Sequence, residues 1–139
     1  RTLRAARAHP LKPRVACGAG TDHAADLATR DAIAGAYETQ MEAIEAAGGQ
    51  VILMASRAFT SMGATADTYH QVYRRLIDGA AQPLILHWLG GMFDPALHGY
   101  WGTKDVGRAS DFVLALIAEN PGKVDGIKIS LLDEAHETA

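Results

Sequence analysis

The chain has 139 residues, of which 48% are hydrophobic and 21% charged, and a formal net charge of −3. That is ordinary composition for one globular domain with its own core. The 13 lysines and arginines are dispersed, so no nucleic-acid footprint is expected. No apolar stretch reaches the length of a membrane span. The one cysteine, Cys17, excludes an intrachain disulfide framework and lies in an apolar run that suits a structural thiol. Arg1 to Arg14 is basic without an apolar core segment, so no signal peptide is visible, and a soluble cytoplasmic protein is expected. Arg1 stands in place of an initiator Met, and Arg1 to Ala8 reads as the end of a helix. The expectation is a segment of a longer protein.

In chain order, Arg14-Val15-Ala16-Cys17-Gly18 reads as a first strand, and Gly18-Ala19-Gly20-Thr21 as a tight turn. Thr21 or Asp22 can cap the helix that follows, where Ile33, Tyr37, Met41 and Ile44 recur on one face. Gly48-Gly49 ends it, and Gln50-Val51-Ile52-Leu53-Met54 is a second strand. Asp67 can cap a second helix whose apolar stripe is Tyr69, Val72, Tyr73, Leu76 and Ile77. Pro83-Leu84-Ile85-Leu86-His87 is a third strand, with proline tolerable at its start. A long loop, Trp88 to Lys104, separates it from a third helix marked by Phe112, Val113, Leu116 and Ile117. Asn120-Pro121-Gly122 stops that helix, and Val124-Asp125-Gly126-Ile127-Lys128-Ile129-Ser130 is a fourth strand.

Strands alternating with helices imply a parallel sheet. Its short apolar strands read as covered on both faces. Neither a glycine-rich dinucleotide fingerprint nor a Walker loop is present. The expected fold is therefore part of a (β/α)8 barrel rather than a doubly wound sheet, with all 139 residues in one partial-barrel domain. Barrel active sites gather at the C-terminal strand ends, where Cys17, Ser56, His87 and Lys128 lie.

Lys128 is the most informative residue. An ammonium buried in an apolar strand is costly, and a desolvated lysine that loses its proton is a nucleophile toward carbonyls. The alternative is a strand-tip lysine with its head in water. If Lys128 points into a lumen, alternation sends Gly126 and Ser130 with it and turns Ile127 and Ile129 toward the helices. By the same rule His87 shares its face with Ile85, while Leu84 and Leu86 pack outward. His87 is a candidate general acid/base, its ordinary pKa lying near neutrality. Arg57 can hold a substrate carboxylate or form a salt bridge. The loop from Trp88 to Trp101 reads either as an apolar wall over a substrate or as a packed connection. His87, Asp94 and His98 have the types for a divalent metal, though their spacing matches no metal motif. His9, His23, His70 and His136 show no pattern and read as surface residues.

Gly126-Ile127-Lys128 resembles the Gly-Ile-Lys strand of the dihydrodipicolinate synthase and N-acetylneuraminate lyase superfamily. Pro83-Leu84-Ile85-Leu86-His87-Trp88 is similar to the fifth strand of those barrels, and the spans 14–21 and 50–54 to the third and fourth. More closely, Ile85-Leu86-His87-Trp88-Leu89-Gly90, Met92-Phe93-Asp94-Pro95-Ala96-Leu97 and Gly126 to Asp133 are similar to the DUF993 branch of that superfamily. The resemblance implies strands three to six of eight, with Lys128 as the Schiff-base lysine. His87 stands where the superfamily has its proton-relay tyrosine, and Ser56-Arg57-Ala58-Phe59 replaces its fourth-strand tyrosine pair.

The expected activity is that of a Schiff-base lyase or aldolase acting on a small, 2-oxo-acid-like carbonyl. Lys128 and His87 would be catalytic, with Ser56, Arg57, Trp88 and Ser130 at the substrate. No cofactor is expected beyond the covalent lysine imine, and no metal in the leading reading. The expected partner is the small-molecule substrate, without nucleic acid or membrane, in a homo-oligomer at full length. A metal-assisted hydrolase or epimerase using His87, and a non-catalytic ligand-binding barrel, are the rival readings.

Overall fold

The structure is a computed structural model and describes residues 2–11 and 13–137. Four strands, β1 (Ala16–Ala19), β2 (Gln50–Leu53), β3 (Leu84–Leu89) and β4 (Val124–Ser130), form one parallel sheet in the order β1-β2-β3-β4. A helix α1 (Thr2–Ala8) precedes them, and α2 (Arg30–Ala46), α4 (Ala66–Gly79) and α5 (Val106–Glu119) are the crossovers. A short α3 (Arg57–Ser61) follows β2, and α6 (Glu134–Glu137) follows β4. Strand order equals chain order, so the described sheet contains no point at which its winding reverses. Crossovers of one hand that advance in one direction stack their helices on one face. Burial agrees: Val51, Leu53, Leu84, Leu86 and Trp88 are buried on that face, while Ile52 and Ile85 between them are half-exposed. Among the described residues the face opposite the helices is uncovered, and Lys128 is exposed, so the desolvation expected of it is not seen there. No described helix is long and apolar enough to cross a membrane.

Several boundaries differ from the sequence reading. Helix α2 starts at Arg30 and is capped by Thr29, whose hydroxyl accepts from Ala32 N–H at 3.2 Å. Thr21 cannot cap it, because its hydroxyl lies in the interior 2.5 Å from Ser56 Oγ. Thr65 rather than Asp67 caps α4, and Asp67 sits in the first turn, where its charge suits the helix dipole. Gly18 and Ala19 belong to β1 instead of a turn, because they pair with Ile52 and Leu53. A Cβ on Gly18 would stand 2.9 Å from Met54 Cγ, so glycine makes room for that side chain. Strand β3 continues through Leu89, since His87, Trp88 and Leu89 pair with Lys128, Ile129 and Ser130.

The connection after β3 sends three side chains into the core. It forms two 3₁₀ turns, Pro95–Leu97 and Tyr100–Gly102, and buries Leu97, Tyr100 and Trp101. Trp101 packs against Tyr69, Tyr73, Tyr100, Phe112 and Trp88, with ring centroids 4.7 to 6.4 Å away. Its φ of 69° is left-handed, a strain on the order of 1–2 kcal/mol that this aromatic packing offsets. Gly102 (φ +80°) runs against the start of α4, where a Cβ would meet Ala66 N at 2.4 Å. Gly102→Ala should therefore cost about 2–5 kcal/mol, combining left-handed strain and overpacking. Gly122→Ala, at φ +75° with nothing within 4 Å, should lose only about 1 kcal/mol. Denaturant titration of both variants decides it, and equal losses would contradict this packing.

Candidate active site on the open face of the sheet

Lys128 and His87 are paired in register on adjacent strands, so both side chains leave the sheet on the face opposite the helices. This placement depends on one irregularity. Val124 pairs with Leu84, but Gly126 pairs with Ile85, so Asp125 is an extra residue in β4. Val124 faces the helices; the bulge returns Ile127 to that side and sends Gly126, Lys128 and Ser130 to the open one. Gln50 Nε2 holds the bulged Asp125 through Oδ2 at 2.8 Å, and also donates to Pro83 O at 3.0 Å.

His87 is buried, with 4% of its surface exposed. Its Nδ1 lies 3.2 Å from Met54 Sδ and its Nε2 lies 3.4 Å from Ser130 Oγ. Burial, and then the positive charge of Lys128, hold the imidazole pKa below its ordinary 6.5. The ring is therefore neutral near pH 7 and keeps one nitrogen as a base. Lys128 makes no hydrogen bond or ion pair among the described residues.

At the C-terminal ends of β1, β2 and β3, separated from His87 by Met54, lies a cleft of about 350 Å³. Gly18, Thr21, Met54, Arg57, Phe93 and Asp94 are among its walls. Arg57 opens α3; its Nε donates to Asp94 Oδ2 at 2.6 Å, and its Nη1 lies 3.6 Å from Asp22 Oδ1. Thr60 Oγ1 donates to Ala96 O at 2.6 Å, a second tie between α3 and the connection after β3.

The six residues singled out in the sequence divide accordingly. Lys128, His87 and Ser130 share the open face, and Arg57 lies in the adjoining cleft. Ser56 is an interior cap of α3: its Oγ accepts from Ala58 N–H, and its own N–H donates to Tyr100 Oη at 3.1 Å. Trp88 turns to the helix side and lines a second cavity of about 390 Å³ with Leu97, Tyr100, Val106 and Leu131. Neither Ser56 nor Trp88 reaches the Lys128 face, because alternation and capping commit them to the core. His87, Asp94 and His98 do not converge, and no metal-holding group of three His, Cys, Asp or Glu occurs among the described residues. His9 and His23 are exposed, and His70 pairs with Glu119 at 2.7 Å. The side chain of His136 lies outside the described residues.

A family model described as a protein of unknown function, DUF993, matches residues 1–139. The chain belongs to the DUF993 family. No curated protein matches the sequence.

In this DUF993 chain the sequence reading missed the hydroxyls that hold the cleft wall. Tyr100 Oη lies 2.9 Å from Tyr73 Oη, and Tyr37 Oη donates to Met54 O at 2.5 Å. Burial raises the pKa of all three phenols, so they remain protonated donors. The only signal was tyrosine, rather than phenylalanine, within apolar stripes. Tyr100→Phe should cost about 1–3 kcal/mol, because it strands the Ser56 N–H in the interior. Chemical denaturation checks this, and a neutral substitution would remove Tyr100 from the scaffold.

A second outcome concerns pH. The folded pKa of His87 lies below its unfolded value, so the unfolded state binds more protons between the two. The contribution of His87 to stability is present above about pH 6.5 and is lost as pH falls through the folded value. Melting temperatures compared with those of His87→Gln should show the native protein losing its relative advantage on acidification below that point. Parallel pH profiles would show that His87 is not held neutral by the fold.

Proposed function

We propose that this chain is a Schiff-base lyase or aldolase-type enzyme, acting on a small carbonyl compound through Lys128. The supporting observation is the direct pairing of Lys128 with a buried neutral imidazole on the uncovered face of a parallel sheet. The resemblance of Gly126-Ile127-Lys128 to the lysine strand of the dihydrodipicolinate synthase and N-acetylneuraminate lyase barrels agrees with it. In this reading the four strands are strands three to six of a (β/α)8 barrel. Three features favour that architecture: the strands run in sequential order, the helices cover one face, and helix-side Ile129 remains 41% exposed at the β4 edge. Parallel sheets are stable when both faces are covered, and barrel closure covers the second face with the barrel's own strands.

The chemistry is that of an amine and a carbonyl. Lys128 Nζ, unprotonated, attacks the carbonyl carbon; the carbinolamine oxygen takes one proton from the nitrogen and one from solvent and leaves as water, and an iminium ion remains. In the cleavage direction His87 Nε2 takes the proton of a hydroxyl β to that carbon. The C–C bond breaks, its electron pair passes to the iminium as an enamine, and the released fragment leaves as an aldehyde. Ser130 Oγ, 3.4 Å from Nε2, orients the imidazole for that transfer.

Borohydride added to the full-length protein with a panel of small aldehydes and ketones should fix a secondary amine on Lys128, read by peptide mass spectrometry. Lys128→Arg should abolish the adduct, since a guanidinium is not a usable nucleophile. His87→Gln should slow cleavage turnover by roughly a hundredfold, in the usual range for a general acid/base, while leaving the borohydride adduct on Lys128 in place. No adduct on Lys128 with any carbonyl would end this reading. Turnover lost on chelation and restored by a divalent metal would favour the hydrolase or epimerase reading instead.

A further inference from the structure

Resting on the Lys128 reading for its catalytic meaning, we infer that Met54 is a positioning residue: its sulfur holds the His87 imidazole as the tautomer with the proton on Nδ1 and a bare Nε2. Met54 and His87 each lie one residue beyond the paired Leu53 and Leu86, so they are neighbours on the open face of the sheet. Met54 Sδ lies 3.2 Å from His87 Nδ1. A thioether sulfur carries lone pairs and no proton, so it can only accept. The contact is therefore a hydrogen bond only when Nδ1 carries the proton. The other tautomer sets a nitrogen lone pair against those of the sulfur. Ser130 Oγ, 3.4 Å from Nε2, does not make this choice, because a hydroxyl both donates and accepts. In a neutral imidazole the bond made by one nitrogen decides what the other is left to do.

The sulfur is held in place from two sides. The backbone N–H of Met54 donates to Ala19 O at 2.9 Å, and Tyr37 Oη donates to Met54 O at 2.5 Å. The side chain lies against Gly18, where a Cβ would stand 2.9 Å from Met54 Cγ and 3.1 Å from Sδ. Glycine at that position leaves the space that the thioether fills. An uncharged acceptor also suits a base beside a lysine. A carboxylate against Nδ1 would favour the imidazolium and leave no base, whereas sulfur directs the proton to Nδ1 without adding charge. In the proposed cleavage Nε2 collects the β-hydroxyl proton, and only the tautomer protonated at Nδ1 has a lone pair there to receive it.

Full-length protein with isotopically labelled histidine tests this in a two-bond proton–nitrogen correlation spectrum. It is recorded at about pH 8, where a histidine of ordinary pKa, about 6.5, is neutral. The His87 signals are those missing from His87→Gln. In the native protein Nε2 should show the far-downfield shift of a bare ring nitrogen, and Nδ1 the upfield shift of a protonated one. Met54→Leu, which conserves volume and removes the acceptor, should draw the two shifts together as the tautomers mix. Borohydride trapping with the panel of small aldehydes and ketones should still modify Lys128 in that variant, since imine formation does not pass through His87. A native His87 with its proton on Nε2 overturns the inference. So does a Met54→Leu spectrum in which the two shifts stay as far apart as in the native protein. Loss of the adduct in Met54→Leu alone would place Met54 at the nucleophile instead of the base, and overturns it as well. Absence of any adduct on Lys128 of the native protein overturns the Schiff-base reading, while the nitrogen shifts still decide the tautomer.

Discussion

A single extra residue in β4 decides which side of the sheet carries the chemistry. Without the bulge at Asp125, Val124 and Lys128 would share a face, and an ammonium would be driven to the side of the sheet where Leu86 and Trp88 are buried. Burying it there without a partner would cost several kcal/mol. The bulge inverts the alternation between Val124 and Gly126, so the strand begins with an apolar residue facing inward and still delivers lysine outward. Gln50 on β2 holds the bulge through the Asp125 side chain while bonding the Pro83 carbonyl that leads into β3. The register of three strands and the position of Lys128 are thereby fixed by one set of contacts at the N-terminal end of the sheet.

At the opposite end the constraint is the connection after β3. Tyr100 and Trp101 are driven into the helix-side core, and the Tyr100 hydroxyl receives the backbone N–H of Ser56. The turn carrying Arg57 is thus tied to the aromatic core, while Asp94 and Ala96 tie the same connection to α3 from outside. A segment joined to β2 and α3 by several bonds is poorly suited to act as a mobile lid. Its tip, with Met92 77% and Phe93 59% exposed, stands clear of the core. The indole N–H of Trp101 has no hydrogen-bond partner among the described residues, which places the whole value of this side chain in packing.

The alternation of strands and helices, the order of the elements and the apolar stripes of α2 and α4 were legible because each follows a period that burial imposes. The open-face partners of Lys128 were legible for the same reason, once alternation was counted from the lysine itself. Cap positions were not. Thr21 and Asp67 have the right chemistry for caps, but tertiary contacts claimed Thr21, and Thr65 stood one turn position better placed than Asp67. Trp88 was misplaced as a loop residue because the end of β3 is set by pairing with β4, a long-range contact that no local pattern encodes. Ser56 read as a group for a ligand because a serine after a strand looks the same in sequence whether it caps a helix or faces a cleft.

The pairing of two basic groups side by side also has a consequence for the proposed chemistry. Lys128 and His87 are paired on adjacent strands, so the lysine charge adds to burial in disfavouring a second positive charge on the imidazole. His87 is the group that yields, because it is buried beneath Met54 and Ser130 whereas Lys128 reaches water. Burial first, and the charge on Lys128 second, keep its imidazole neutral before substrate arrives. Conversion of the amine to an iminium ion leaves a positive charge in nearly the same place, so the imidazole is under the same pressure to stay neutral after the imine forms. A base that must collect a hydroxyl proton next to a cationic intermediate is therefore available at the step that needs it. The same repulsion encourages it to return that proton afterwards.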